Sequence, residues 1–113
     1  MKNIFLLFMM LIGFCVIAQD YQKVKFMVWG NCEMCQTKIV KAAKSVEGVK
    51  KAQWNISTLE MSIKFDKDLT SLAKIQKVIA DSGYDNEGFR SEDEVYKNLH
   101  YCCKYERPQI LTD

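Results

Sequence analysis

Cys32 and Cys35 stand two residues apart in "WGNCEMCQTKIVKAA", residues 29 to 43. Two thiols at i and i+3 can converge on one ion where a loop runs into a helix. The loop lets the first cysteine turn back while the first helical turn presents the second. Backbone N–H groups and the positive end of the helix dipole lower thiol pKa, so thiolate forms readily near neutral pH. Thiolates select soft or borderline ions such as Cu(I) and Zn(II) over hard ions such as Mg(II) or Ca(II). A closed structural zinc site takes four protein ligands, whereas this pair supplies two, which suits a carrier that must release its ion. Two further cysteines, Cys102 and Cys103, lie in "LHYCCKYER". If that stretch folds back across the Cys32–Cys35 loop, it adds a third or fourth sulfur, which would raise affinity and slow release. Adjacent side chains diverge in most backbone conformations, so one of the two should ligate more readily. A disulfide with the first pair, or a vicinal pair used in sulfur exchange, are the other uses open to them.

The elements around the first pair can be read from periodicity. Val24, Phe26 and Val28 alternate with Lys23, Lys25 and Met27, the period-2 pattern of a half-buried strand over residues 21 to 29. After the cysteines, Cys35, Ile39, Ala42 and Val46 fall at helical spacing with Lys38, Lys41 and Lys44 outside the stripe, and Gly48 supplies the stop. A second strand is expected over residues 49 to 55, with Ala52 and Trp54 on one face. A third follows in which Leu59, Met61, Ile63 and Phe65 alternate with polar residues. Ser71 is placed to cap a second helix carrying Leu72, Ile75, Val78 and Ile79, closed by Gly83, and a short fourth strand is expected near Tyr84 to Glu87. The order β-α-β-β-α-β gives an α+β fold, a ferredoxin-like sandwich of two helices on one face of a four-stranded antiparallel sheet. Beyond it, "SEDEVYKNL" carries an S-x-x-E capping box, Ser91 with Glu94, and an i,i+4 apolar pair, Val95 with Leu99. A short helix is expected there, delivering the chain to Cys102 and Cys103 before a polar tail.

With 113 residues, 49% hydrophobic and 27% charged, the chain has material for one core, and a formal charge of +2 gives no support for nucleic-acid binding. Lys2 followed by the apolar run Ile4 to Ile17, with "VIA" before Gln19, reads as a secretory signal peptide over residues 1 to 18, cleaved near Ala18. The run is shorter than the roughly 20 residues of a membrane span, and Phe14 is too bulky for a lipoprotein anchor at Cys15. The expected product is an exported, periplasmic protein with four cysteines. An even number in an exported chain normally signals disulfides. The spacing, one CxxC and one adjacent pair, is unlike the dispersed pattern of a disulfide scaffold.

These features together resemble the heavy-metal-associated domain family, which includes copper chaperones, mercury-binding periplasmic proteins and the N-terminal modules of metal-pumping ATPases. The resemblance covers roughly residues 21 to 88 and rests on Cys32 and Cys35 at the strand–helix junction, on "TKIVKAAKSVEGV", and on "IQKVIADSGYD". It implies a ferredoxin-like fold and one soft metal ion on the two cysteines, most often Cu(I), sometimes Hg(II) or Zn(II). The family commonly has a buried Met two residues before the first Cys, where this chain has Gly30, and Asn31 replaces a Thr. Tyr84 matches an aromatic residue that bacterial members place near the metal loop, where it would shield the site or pack at the helix end. Residues 89 to 113 look like the Cys-Cys extension of a subgroup of exported bacterial members, so Cys102 and Cys103 join the candidate ligands.

The remaining candidates have plainer readings. His100 is expected to face solvent beside Tyr101, Met34 to be exposed, Met27 and Met61 to be sheet residues, and the helix lysines to be a solvated face. The leading expectation is a non-enzymatic carrier or scavenger that hands its ion by ligand exchange to a metal-transporting membrane protein or another thiol acceptor. Two exposed loops could also sandwich one ion in a metal-bridged dimer. Thiol–disulfide exchange is the main alternative. Against it, Trp29 does not abut Cys32, and Pro108 is the sole proline. A disulfide-stapled interaction module is the third.

Overall fold

The computed structural model describes residues 20–108; the expected signal peptide lies outside the described residues. Strand β1 (Tyr21–Met27) is followed by helix α1 (Glu33–Lys44), strands β2 (Val49–Trp54) and β3 (Glu60–Asp66), helix α2 (Leu72–Asp81), and a short helix α3 (Asp93–Lys97). A single 3-10 turn, Tyr101–Cys103, comes last. The sheet has the order β1-β3-β2 with both pairings antiparallel. This is the α+β, ferredoxin-like arrangement expected from the sequence.

Alternation places the core. Phe26 and Val28, Ala52 and Trp54, and Met61, Ile63 and Phe65 are all buried on one face, where they meet Ile39, Ala43, Ile75 and Ile79 from the two helices. In α1 the buried stripe is Cys35, Ile39 and Ala43, with Ala42 only half-buried. A straight helix aligns i, i+4 and i+8 on one side, so Ala43 takes the position the sequence reading gave to Ala42. Ser71 caps α2 by accepting the Lys74 N–H at 3.3 Å. Gly48 and Gly83 have φ of 101° and 113°, left-handed values that favour glycine where the two helices end.

The fourth strand expected near Tyr84 to Glu87 is reduced to one bridge, Val28 with Asn86. The Trp29 N–H still donates to Asp85 O at 2.9 Å and the Glu87 N–H to Met27 O at 3.2 Å. Asn86 then ends the pairing, because its Oδ1 accepts the N–H groups of Gly88 and Phe89 and folds the chain into a turn. The capping box is also absent. Ser91 is buried and spends its N–H on Asp85 Oδ1 at 2.7 Å, and α3 starts after Glu92 without a side-chain cap.

Gly30, at the position of the family's buried Met, lies against the Trp54 indole. A Cβ there would meet Trp54 Cη2 at 3.0 Å and Cys35 Cβ and Ile39 Cδ1 at 3.2 Å. Trp54 is itself pinned by its indole N–H, which donates to Val28 O at 3.0 Å and Leu59 O at 3.2 Å. The indole therefore packs against the loop before α1 and leaves little room for a larger residue at position 30. Gly30→Ala is expected to cost about 1–3 kcal/mol in urea denaturation through overpacking, and the smaller ring of Trp54→Phe in that background should restore part of it. A fully stable Gly30→Ala would show that the loop has room to give.

Candidate metal centre

Cys32 is the N-cap of α1. Its φ of −152° and ψ of 171° are extended, and its sulfur accepts the Cys35 N–H at 3.4 Å. The helix thus starts on the sulfur, which places Cys32 at the positive end of the dipole and swings Cys35 underneath it. The Sγ atoms are 3.2 Å apart, and the Cys35 thiol donates to Asn31 Oδ1 at 3.3 Å. Cys35 is fully buried and Cys32 partly exposed.

The extension returns to this loop. Cys103 is fully buried, and its sulfur lies 3.7 Å from that of Cys32. Cys102 is half-buried with its sulfur 4.0 Å from that of Cys103, and the sulfurs of Cys32, Cys102 and Cys103 all lie within 4.8 Å of one another. The four cysteines among the described residues are all free thiols. Cys103 is buried and Cys102 only half-buried, but the two sulfurs do not diverge: both approach that of Cys32.

Residues 104–108, read from the sequence as a polar tail, hold Cys103 in place. Tyr105 is buried, stacks on Tyr84 at 5.8 Å and meets Tyr96 edge-on at 5.1 Å. Its hydroxyl donates to Gly83 O and accepts the Asp85 N–H, both at 2.8 Å. Arg107 grips the carboxylate of Asp85, a residue only 1% exposed, with Nε at 2.8 Å and Nη2 at 2.9 Å, and reaches Asp93 with Nη1 at 2.7 Å. Cys103, Tyr105 and Arg107 thus alternate inward. That period of two is the signal in the sequence that could have revealed the latch.

The thiols are not equivalent. Partial burial alone would raise Cys32, but hydrogen bonds from the Cys35 N–H, the Cys35 and Cys103 thiols and the Met34 N–H hold it below its ordinary value. Burial pushes Cys35 up to about 11 and Cys103 upward as well. Tyr84 is wholly buried; burial first, and then the neighbouring Cys103 and Cys35 thiols, keep its hydroxyl protonated. That hydroxyl has no well-formed hydrogen bond and lies beside the Cys103 and Cys35 thiols. Near neutral pH, iodoacetamide is expected to label Cys32 roughly tenfold or more faster than Cys35, read by peptide mass spectrometry. Equal rates would contradict this ordering.

The plainer readings mostly hold. Met61 is a core residue, Met27 a half-buried sheet residue, and Lys38, Lys41 and Lys44 are exposed. His100 is exposed with its ring 4.4 Å from that of Tyr101, and Met34 is 43% exposed. Both, however, touch Cys102, a contact that nothing in their spacing announces.

A heavy-metal-associated domain model matches residues 26–85, more than half of the chain, so the protein belongs to the heavy-metal-associated domain family and is built to bind heavy-metal ions. The match ends at Asp85, so Cys102 and Cys103 lie beyond it. Among solved structures the chain is similar to oxidized MerP from Ralstonia metallidurans CH34, at 35% identity and a TM-score of 0.58 over 60% of this chain and 96% of that one. It is similar also to a copper binding domain from HMA7, a P-type ATPase, at 29% identity and a TM-score of 0.56 over 57% of this chain and 89% of that one. The soluble region of the P-type ATPase CopA from Bacillus subtilis matches at 28% identity and a TM-score of 0.58, over 62% of this chain and 47% of that one. Curated protein sequences gave no match.

Proposed function

We propose that this protein is an exported carrier of one soft metal ion, held by Cys32 and Cys35 of the loop and Cys103 of the extension, with Cys102 at the rim. The observation that carries the reading is the return of Cys103 to within 3.7 Å of Cys32. Three thiolates with no carboxylate among them favour a soft ion. A closed tetrahedral zinc site would need Cys102 as its fourth ligand. Copper binding, named for the HMA7 domain at 29% identity, supports Cu(I) as one ion such a site would carry, with Hg(II) and Zn(II) the others to be tried. Release follows from the same geometry. Cys32 is partly exposed and carries the most acidic of the loop thiols, so an acceptor's thiolate bonds to the ion as the Cys32 bond breaks. No covalent catalysis is involved. The acceptor would be a metal-transporting membrane protein or another thiol site, in the periplasmic setting that the signal peptide expected from the sequence would give.

The asymmetry between Cys32 and buried Cys35 would also serve thiol–disulfide exchange, in which an exposed thiolate attacks and a buried thiol resolves. One experiment separates the readings. The reduced protein, without its leader, is titrated anaerobically with Cu(I), Hg(II) and Zn(II) against a chromophoric chelator. The carrier reading expects one tightly bound Cu(I) per chain. Weak, non-stoichiometric binding of all three ions, together with rapid reduction of a model disulfide, would replace it with the exchange reading.

A further inference from the structure

Two soft donors outside the thiols assigned above, His100 and Met34, meet Cys102 at the rim. The Cys102 sulfur lies 3.2 Å from His100 Nδ1 and 3.8 Å from Met34 Sδ. Met34 comes from the first turn of α1 and the other two from the extension, so the cluster exists only when the extension is docked. His100 and Met34 are exposed. Cys102 also belongs to the inner group, since its sulfur is 4.0 Å from that of Cys103 and within 4.8 Å of that of Cys32. It is therefore the single side chain shared between the surface cluster and the buried thiols.

Resting on the carrier reading above, we propose that Met34, His100 and Cys102 form a loading station that receives the soft ion and passes it inward through Cys102. Thioether, imidazole and thiolate are ligands that such an ion accepts, and a mixed set binds less tightly than three thiolates, so the ion moves downhill. The ion arrives on a thiol donor. A metal–sulfur bond to Cys102 forms as the donor's metal–sulfur bond breaks, and the proton lost by the Cys102 thiol leaves on the departing donor thiolate. The neutral donors Met34 and His100 join the ion on Cys102; bonds to Cys103, Cys32 and Cys35 then form as those to Met34, His100 and Cys102 break, one of the three released thiol protons returning to Cys102 and two passing to solvent. The oxidation state of the ion does not change.

The test separates rate from affinity. Cu(I) bound to a chromophoric thiol chelator is mixed with the reduced protein in a stopped-flow instrument, and the equilibrium affinity is measured by competition with the same reagent. Met34→Leu and His100→Gln are each expected to slow loading by about tenfold, within the range of effects seen when groups around a metal site are removed, and to leave the equilibrium affinity unchanged. A separate variant with Cys32, Cys35 and Cys103 all changed to Ser is expected to show the Met34 methyl and His100 ring resonances shifting on addition of Ag(I). Loading rates equal to wild type, affinity falling in step with rate, or unmoved resonances would each overturn the station while leaving the carrier intact. A wild-type chain that binds no ion would overturn the carrier reading and the station together.

Discussion

Changing Cys32 and Cys35 together to Ser is expected to lower Cu(I) affinity by about four orders of magnitude. Structural thiolate sites bind their metal with roughly 10–16 kcal/mol spread over four ligands, so each sulfur contributes about 3 kcal/mol and two contribute roughly 6. A serine hydroxyl is isosteric with a thiol but is a hard, protonated donor that a soft ion does not take. The fold should survive: Cys32 caps α1 through its sulfur, and serine is a good N-cap in its place. Competition with a chelator measures the loss, and circular dichroism checks the fold. Affinity within tenfold of wild type in a folded double variant would mean that the ion sits elsewhere.

Arg107→Ala is expected to destabilise the protein by about 3 kcal/mol and to free the extension. Asp85 is buried and accepts from both Nε and Nη2 of Arg107. Removing one partner of a buried ion pair costs roughly 3–5 kcal/mol, because the other charge is left uncompensated. The lower end applies, since Arg90 stands 3.8 Å from the same carboxylate and Ser91 N–H still donates to it. Tyr105 then loses its neighbour on the chain, and Cys103 with it. Urea denaturation should show the loss of stability, and Cys103 should become reactive to a thiol reagent at a rate close to that of Cys102. Arg107→Lys should recover the charge but not the two-pronged grip. Unchanged stability with Cys103 still protected would show that Tyr105 alone holds the extension.

Legibility in the sequence followed locality. Cys32 and Cys35, the three alternating strands, the cap at Ser71 and the glycine after α2, Gly83, could all be read, because each depends on neighbours a few residues away. The fourth strand failed because Asn86 satisfies backbone N–H groups with its own side chain, and a propensity-based reading does not see that competition. Ser91 with Glu94 has the spacing of a capping box, yet Asp85, six residues upstream, claims the Ser91 N–H first. The return of Cys103 to the loop was legible only as a possibility. What fixes it is long-range: the Asp85–Arg107 pair and the Tyr84–Tyr105 stack, each joining residues about twenty positions apart. Met34 and His100 were passed over because each is unremarkable alone, and only the docked extension brings them to Cys102.

On the carrier reading proposed above, a sulfur from the extension completes the site begun by the loop. X-ray absorption of the Cu(I)-loaded protein counts the sulfurs around the ion directly. Three are expected in wild type and two in Cys103→Ser, with Cys32 and Cys35 intact in both. Two sulfurs in both proteins would contradict the claim and leave the extension with no part in holding the metal.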